Sequence, residues 1–407
     1  MENKKDRSLM NKTWIVGLLV VIVLYTGATL WFAAGESKII YEQLTETIEH
    51  PPYADLDINR VELTTDDTVK LVGWEITAAP EDSSNYWLIY FHDRGQTVAS
   101  NLDEYMLLRS MGLNVLAVDY RGFGESGGEP TEIGLGLDAR ACYHQIKHVR
   151  DIKSTDIILY GVGLGAAVAI DVAVDVNAAA VVVVAPYTSA CAVVGECYPM
   201  FPVSYFISSE FNSLARIPQI NTPKLFIPSG TGECGTANHA RQLYDAASKY
   251  RTLFDWGDSP AGVYDHSFFT EISRLLVANS PIGLNLKTPQ LLLSDSLLVW
   301  IDDEGIGYAV RMYQEIRNSD STDYDLDEYQ LDRIGQSLLQ ENRLQEAEQM
   351  FLLNIDAFPG SFHAYNQLAQ VLIRSGDSET AEGYLRRSLT LQPNNNPATE
   401  LLQNLTR

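Results

Sequence analysis

Gly161-Val162-Gly163-Leu164-Gly165 follows the apolar run Asp156 to Tyr160 (DIILY) and leads into a second run, Ala166 to Val174 (AAVAIDVAV). Strand, sharp glycine turn and helix, in that order, form the frame that lifts a nucleophile above a sheet, G-x-S-x-G. Flanking glycines let the backbone pass close to its neighbours. The central position here is Gly163. It carries no atom that can attack a carbonyl or be activated by a base. The other chemistry of a glycine turn before a helix is to cradle a phosphate. GVGLGA meets the dinucleotide spacing loosely, but it follows about the fifth strand, and Asp171 and Asp175 fall inside the helix rather than at a strand end. The residues therefore disfavour a nucleotide.

Few other side chains are placed to react. His92-Asp93 closes an apolar run, Trp87 to Phe91 (WLIYF), and His266 opens the amphipathic stretch SFFTEISRLL. The seven histidines are scattered without HExxH or paired-ligand spacing, so no metal and no cofactor are expected. His144 and His148 are four apart and read as surface residues.

The elements that must position these residues alternate regularly. Runs at 60–63, 71–77, 87–91, 114–118, 156–160, 179–184, 223–227 and 252–254 read as strands. Helical stretches at 102–111, 130–148, 164–174, 237–248 and 266–277 lie between and after them. Continuous apolar strands alternating with helices predict an α/β domain, a parallel sheet covered on both faces, over residues 60–280. Residues 187–222 break the alternation with Tyr, Phe, Pro and Ser, as a lid or cap would.

Trp14 to Ala34 is uncharged and long enough to cross a bilayer as one helix. Lys4, Lys5, Arg7 and Lys12 precede it, which predicts a cytoplasmic tail (1–13), an uncleaved signal anchor (14–34) and main domains outside the cytoplasm. Residues 35–59 read as a linker. Residues 281–327 read as a second linker containing a helix around Gly305 to Arg317.

From residue 328 the pattern is helical with a 34-residue period. Counting from Glu328, Gly335, Ala347, Phe351 and Pro359 fall at positions eight, twenty, twenty-four and thirty-two. Counting from Phe362, Ala369, Ala381, Leu385 and Pro393 fall at the same four. Small residues at eight and twenty let paired helices approach, and the proline ends the second helix. Residues 328–407 thus resemble two tetratricopeptide repeats, which implies an all-α C-terminal domain and a protein partner.

Acidic residues number 53 against 29 basic, a formal net charge of -24, which excludes the clustered cationic surface that nucleic acid requires. Of four cysteines, Cys191 and Cys197 are the closest pair in sequence; Cys142 and Cys234 complete the set. One disulfide or free buried thiols fit equally well.

Three stretches outside the elbow are similar to the α/β-hydrolase superfamily, in its serine aminopeptidase-like and monoacylglycerol-lipase-like branch. They are Phe91-His92-Asp93-Arg94-Gly95, the loop Asp119 to Gly128 (DYRGFGESGG), and Pro130-Thr131-Glu132 with Leu137-Asp138-Ala139. The resemblance spans roughly residues 61 to 278. It implies a hydrolase sheet and a ligand pocket at His92, Asp93, Gly163, Leu164 and His266. It also implies that Gly232 stands at the position of the catalytic acid, with Glu233 beside it. His266 is then the weak candidate for the base. Asp93, where the family places glycine, puts a carboxylate near the developing negative charge. No intact triad is expected. The reading is a membrane-anchored, non-catalytic binding or scaffold protein with a small-molecule or lipid ligand in reach. The alternative is an esterase, lipase or peptidase using Ser126, Ser189 or Cys191.

Overall fold

The structure, a computed structural model, describes residues 18–20, 22–27, 29, 35–45, 58–78, 84–200, 203–205, 207–228, 236–255, 266–279, 284–319 and 323–405. Eight strands form one sheet: β1 (Ile58–Thr64), β2 (Lys70–Ile76), β3 (Trp87–Phe91), β4 (Asn114–Val118), β5 (Ile157–Val162), β6 (Ala180–Val184), β7 (Lys224–Ile227) and β8 (Arg251–Leu253), in the order β1-β2-β4-β3-β5-β6-β7-β8. β2 runs antiparallel to both β1 and β4, and every pairing from β4 to β8 is parallel. Every residue of β3, β4, β5 and β6 is buried, because helices cover both faces.

A short helix α1 (Glu36–Ile40) precedes the sheet. Helices α2 (Leu102–Ser110), α3 (Glu132–His144), α4 (Leu164–Asp175), α5 (Ala190–Cys197), α6 (Ser213–Arg216), α7 (Thr236–Ala246) and α8 (His266–Asn279) follow. Leu135, Ala139, Val168 and Leu243 of α3, α4 and α7 fill the core on one face. Tyr105, Leu108, Phe269 and Ile272 of α2 and α8 fill the other. α3 is capped by the Thr131 hydroxyl, which accepts from the Gly134 N–H at 3.0 Å.

The chain continues through α9 (Leu293–Glu304) and α10 (Ile306–Arg317) into α11 (Glu328–Gln340), α12 (Leu344–Ala357), α13 (Phe362–Ser375), α14 (Ser378–Leu391) and α15 (Asn396–Leu405). α11–α12 and α13–α14 are the two predicted hairpins. The small residue at position eight has a visible reason: a Cβ on Gly335 would stand 2.5 Å from the Phe351 ring. The helical region packs against the sheet domain. Tyr329 of α11 is buried in the α2–α8 core, Arg109 of α2 meets Asp327 at 2.6 Å, and Arg333 meets Asp103 at 3.3 Å.

Cys197 is disulfide-bonded while Cys142 and Cys191 are free, so the sequence-adjacent pair Cys191–Cys197 does not form. Both lie on α5 at the spacing of a helix, six residues apart, which separates their side chains by nearly two turns. Cys234, the remaining cysteine, lies outside the described residues. About half of the anchor at 14–34 also falls outside them; residues 18–20, 22–27 and 29 are helical. Among the described residues no helix is long and apolar enough to cross a membrane.

Candidate functional site

The sheet order places β3 between β4 and β5, so chain direction diverges at β3, and sheets of this kind bind ligands at the C-terminal strand ends of that point. The pairing Phe91↔Gly161 sets the loop after β3 beside the turn after β5. Gly163 takes φ 53° and ψ -111°, a conformation that L side chains rarely adopt, and its N–H donates to the Val184 carbonyl at 3.0 Å. The strained elbow is therefore built, with nothing on its tip.

Asp93 occupies the space instead. Its Oδ1 accepts from the Leu164 N–H at 2.8 Å and from the Arg94 N–H at 2.7 Å. In the G-x-S-x-G frame the N–H after the nucleophile and one from the loop after β3 form the oxyanion hole. One carboxylate oxygen fills both donors. A Cβ on Gly163 would lie 2.0 Å from the same oxygen. Burial raises the Asp93 pKa, and the two N–H groups partly offset this. A fixed carboxylate there repels the negative charge that acyl transfer must develop.

His92 is 1% exposed. Its Nδ1 lies 2.8 Å from the Asp93 carbonyl, which makes Nδ1 the donor. Its Nε2 lies 3.6 Å from Asp119 Oδ1. Burial lowers its pKa to about 4 and raises that of Asp119 to about 7. The imidazole is neutral, wedged against Tyr120 and Phe123, and supports the loop. Asp119 accepts from the Val98 N–H at 2.7 Å. Arg121 donates to Asp138 and Asp67 at 2.8–3.3 Å, bracing the loop between β4 and α3.

The predicted pocket set is thus brought together in part. His92, Asp93, Gly163 and Leu164 meet at the strand ends. His266 hydrogen-bonds through Nε2 to the Pro289 carbonyl at 2.8 Å. Gly232 and Glu233 lie outside the described residues. The substitute nucleophiles have structural partners. Ser126 Oγ donates to the Asp119 carbonyl and accepts from the Val72 N–H, and Ser189 caps α5. Cys191 is a free, half-buried thiol on α5.

Two features escaped sequence reasoning. Residues 35–45, read as linker, pack across the loops of the site. Ile40 and Tyr41 are buried, Tyr41 Oη and Ser209 Oγ share a 2.9 Å hydrogen bond, Arg94 donates to the Ile39 carbonyl, and the Gly124 N–H donates to the Leu44 carbonyl. The second is a polar contact at the entry of the cap. His239 Nδ1 accepts from the Thr188 hydroxyl at 2.8 Å and from its N–H at 3.4 Å, and Nε2 lies 3.4 Å from the half-exposed Glu196 carboxylate. Thr188 is 5% exposed. The Thr188–His239 contact ties the entry of the cap to α7. No sequence spacing signals it, since only the fold brings 188, 196 and 239 together.

The profile of the alpha/beta hydrolase family matches residues 86–332, more than half of the chain. The chain belongs to the alpha/beta hydrolase family. A tetratricopeptide repeat profile matches residues 362–395, the second hairpin. An uncharacterized protein of Mycobacterium tuberculosis is 32% identical to this hydrolase-family chain over 230 residues, 56% of this chain and 82% of that protein. Alpha/beta hydrolase domain-containing protein 17B of Homo sapiens is 26% identical over 168 residues, 41% of this chain and 57% of that one. Among solved structures, an esterase of Pyrococcus furiosus aligns over 58% of this chain and 97% of its own, at 23% identity and a TM-score of 0.48.

Proposed function

We propose that this family member is a membrane-anchored binding or scaffold protein whose hydrolase domain no longer performs acyl transfer. The observation that carries the reading is the Asp93 carboxylate seated on the Leu164 and Arg94 N–H groups, against a glycine where a nucleophile would stand. Acyl transfer needs an attacking atom and an empty pair of donors, and the site offers neither. The C-terminal helix hairpins supply a surface for a protein partner.

Membrane anchorage rests on the uncharged segment 14–34 and the four basic residues before it. The disulfide at Cys197 favours an oxidising compartment and so supports main domains outside the cytoplasm. The test is ester turnover by the purified full chain. Hydrolysis of p-nitrophenyl acetate and butyrate is expected at the rate of buffer alone. Turnover that persists through purification and scales with protein concentration would defeat the reading.

A further inference from the structure

Two short strands, β9 (Leu291–Leu292) and β10 (Tyr324–Asp325), pair in parallel where the chain passes from the sheet domain into the repeats. Asp325, the last residue of β10, is 4% exposed. Its Oδ1 accepts from the Asp327 N–H at 3.0 Å, and its Oδ2 accepts from Gln330 Nε2 at 3.1 Å. Gln330 is held in that orientation, because it is buried and its Oε1 accepts from the Ser294 N–H at 3.1 Å. Asp325 therefore ties β10 to α9 and α11 through neutral amides. Among the described residues no cation lies within ion-pair reach of it. The charged groups on the surrounding elements have other partners. Arg109 of α2 meets Asp327 at 2.6 Å and the Thr77 carbonyl at 3.0 Å. Arg333 of α11 meets Asp295 of α9 at 2.6 Å and Asp103 of α2 at 3.3 Å. Glu328 of α11 accepts from the Ser361 hydroxyl. A carboxylate left alone in this way is costly when ionised, since burial strips its hydration and Asp327 repels it. Those two causes, burial first, raise the Asp325 pKa to about 7 against the opposing pull of the Asp327 N–H, Arg109 and Gln330.

We propose that Asp325 is a proton-operated latch between the sheet domain and the repeats: the seam is closed while the carboxyl keeps its proton and loosens when that proton passes to solvent. The contacts that join the two parts lie at the same place. Tyr329, four residues beyond Asp325, is buried in the α2–α8 core, and the Arg109–Asp327 and Arg333–Asp103 pairs span the junction. A carboxyl that binds its proton more tightly in the closed seam than in the open one holds the seam closed in full below the open-state pKa. That hold is lost as pH rises through the closed-state value. For Asp325 the loss therefore runs from about pH 4 up through about pH 7. The seam sets how the repeats are carried on the sheet domain, so the surface offered to a protein partner responds to pH near neutrality. The latch depends neither on the state of the elbow nor on the anchor.

Hydrogen–deuterium exchange of the full chain tests this at about pH 6 and about pH 8.5, with rates corrected for the intrinsic pH dependence of amide exchange. Protection of peptides covering residues 324–335 is expected to fall about tenfold over that interval, the linkage of one group with a closed-state pKa of about 7. In Asp325→Asn, which exchanges no proton, the same peptides should change less than about twofold, whatever their absolute protection. Asp327→Asn is the second variant. Removing the repelling charge lowers the Asp325 pKa, so the loss should move to lower pH and shrink to about two- to threefold over the same interval. Glu104→Gln, on the neighbouring α2, should keep the loss of about tenfold. A wild-type seam with flat protection between the two pH values overturns the latch. So does a loss of about tenfold that persists in Asp325→Asn or one that vanishes in Glu104→Gln.

Discussion

Restoring serine to the elbow should damage the protein rather than revive it. In Gly163→Ser the new Cβ would meet Asp93 Oδ1 at 2.0 Å, Cγ at 2.2 Å and Oδ2 at 2.4 Å, so the carboxylate must leave. It would abandon the N–H groups of Leu164 and Arg94, each bond to a charged acceptor contributing about 1.5–3 kcal/mol. A side chain at φ 53° adds about 1–3 kcal/mol of backbone strain. Rehydration of the freed carboxylate returns part of this, which leaves a loss of about 3–5 kcal/mol in urea denaturation at pH 7. The cause is testable with Asp93→Gly in the same protein. Removing the carboxylate first removes the clash, so Gly163→Ser in that background should lose at least about 2 kcal/mol less. Neither variant should hydrolyse p-nitrophenyl esters, since His266 is held by Pro289. Additive losses, or turnover in the single variant, would refute the reasoning.

Other consequences are open to direct test. Glu104 accepts from the Tyr90 hydroxyl, and burial raises its pKa to about 7. A carboxyl whose folded pKa is raised binds more protons folded than unfolded, so its contribution is full below about pH 4.5 and is lost as pH rises through about 7. Glu104→Gln should therefore flatten the stability–pH profile between those values and stabilise the protein at pH 8 by about 2–3 kcal/mol, read from urea midpoints. Arg121→Ala leaves buried Asp138 without its partner and should lose about 3–5 kcal/mol by the same measurement. Tyr329→Ala, at a side chain 6% exposed in the sheet's core, should cost about 3 kcal/mol and split thermal unfolding of sheet and repeats into two calorimetric transitions.

The fold was legible because its signals are local. Strands such as WLIYF and AVVVV are apolar throughout, and Gly335 and Ala347 keep the repeat period that close helix packing requires. The empty elbow could be read for the same reason, since one residue type at one position decides it. Occupation of the oxyanion donors by Asp93 was only half legible. The sequence placed a carboxylate nearby, but its seat on two backbone N–H groups depends on the register between β3 and β5. The strap at 35–45 and the Thr188–His239 contact depend on residues far apart in the chain, which no spacing encodes. The state of the cysteines was left open by the sequence, and Cys191 and Cys197, its closest pair, are not joined because nearness in sequence along a helix is not nearness of side chains.

The most direct measurement is the intact mass of the purified full chain after prolonged exposure to a fluorophosphonate. With no attacking atom at 163 and a carboxylate on the Leu164 N–H, the mass should remain that of the untreated protein. Gain of a single phosphonyl group, lost on substitution of any one residue at these strand ends, would contradict the account.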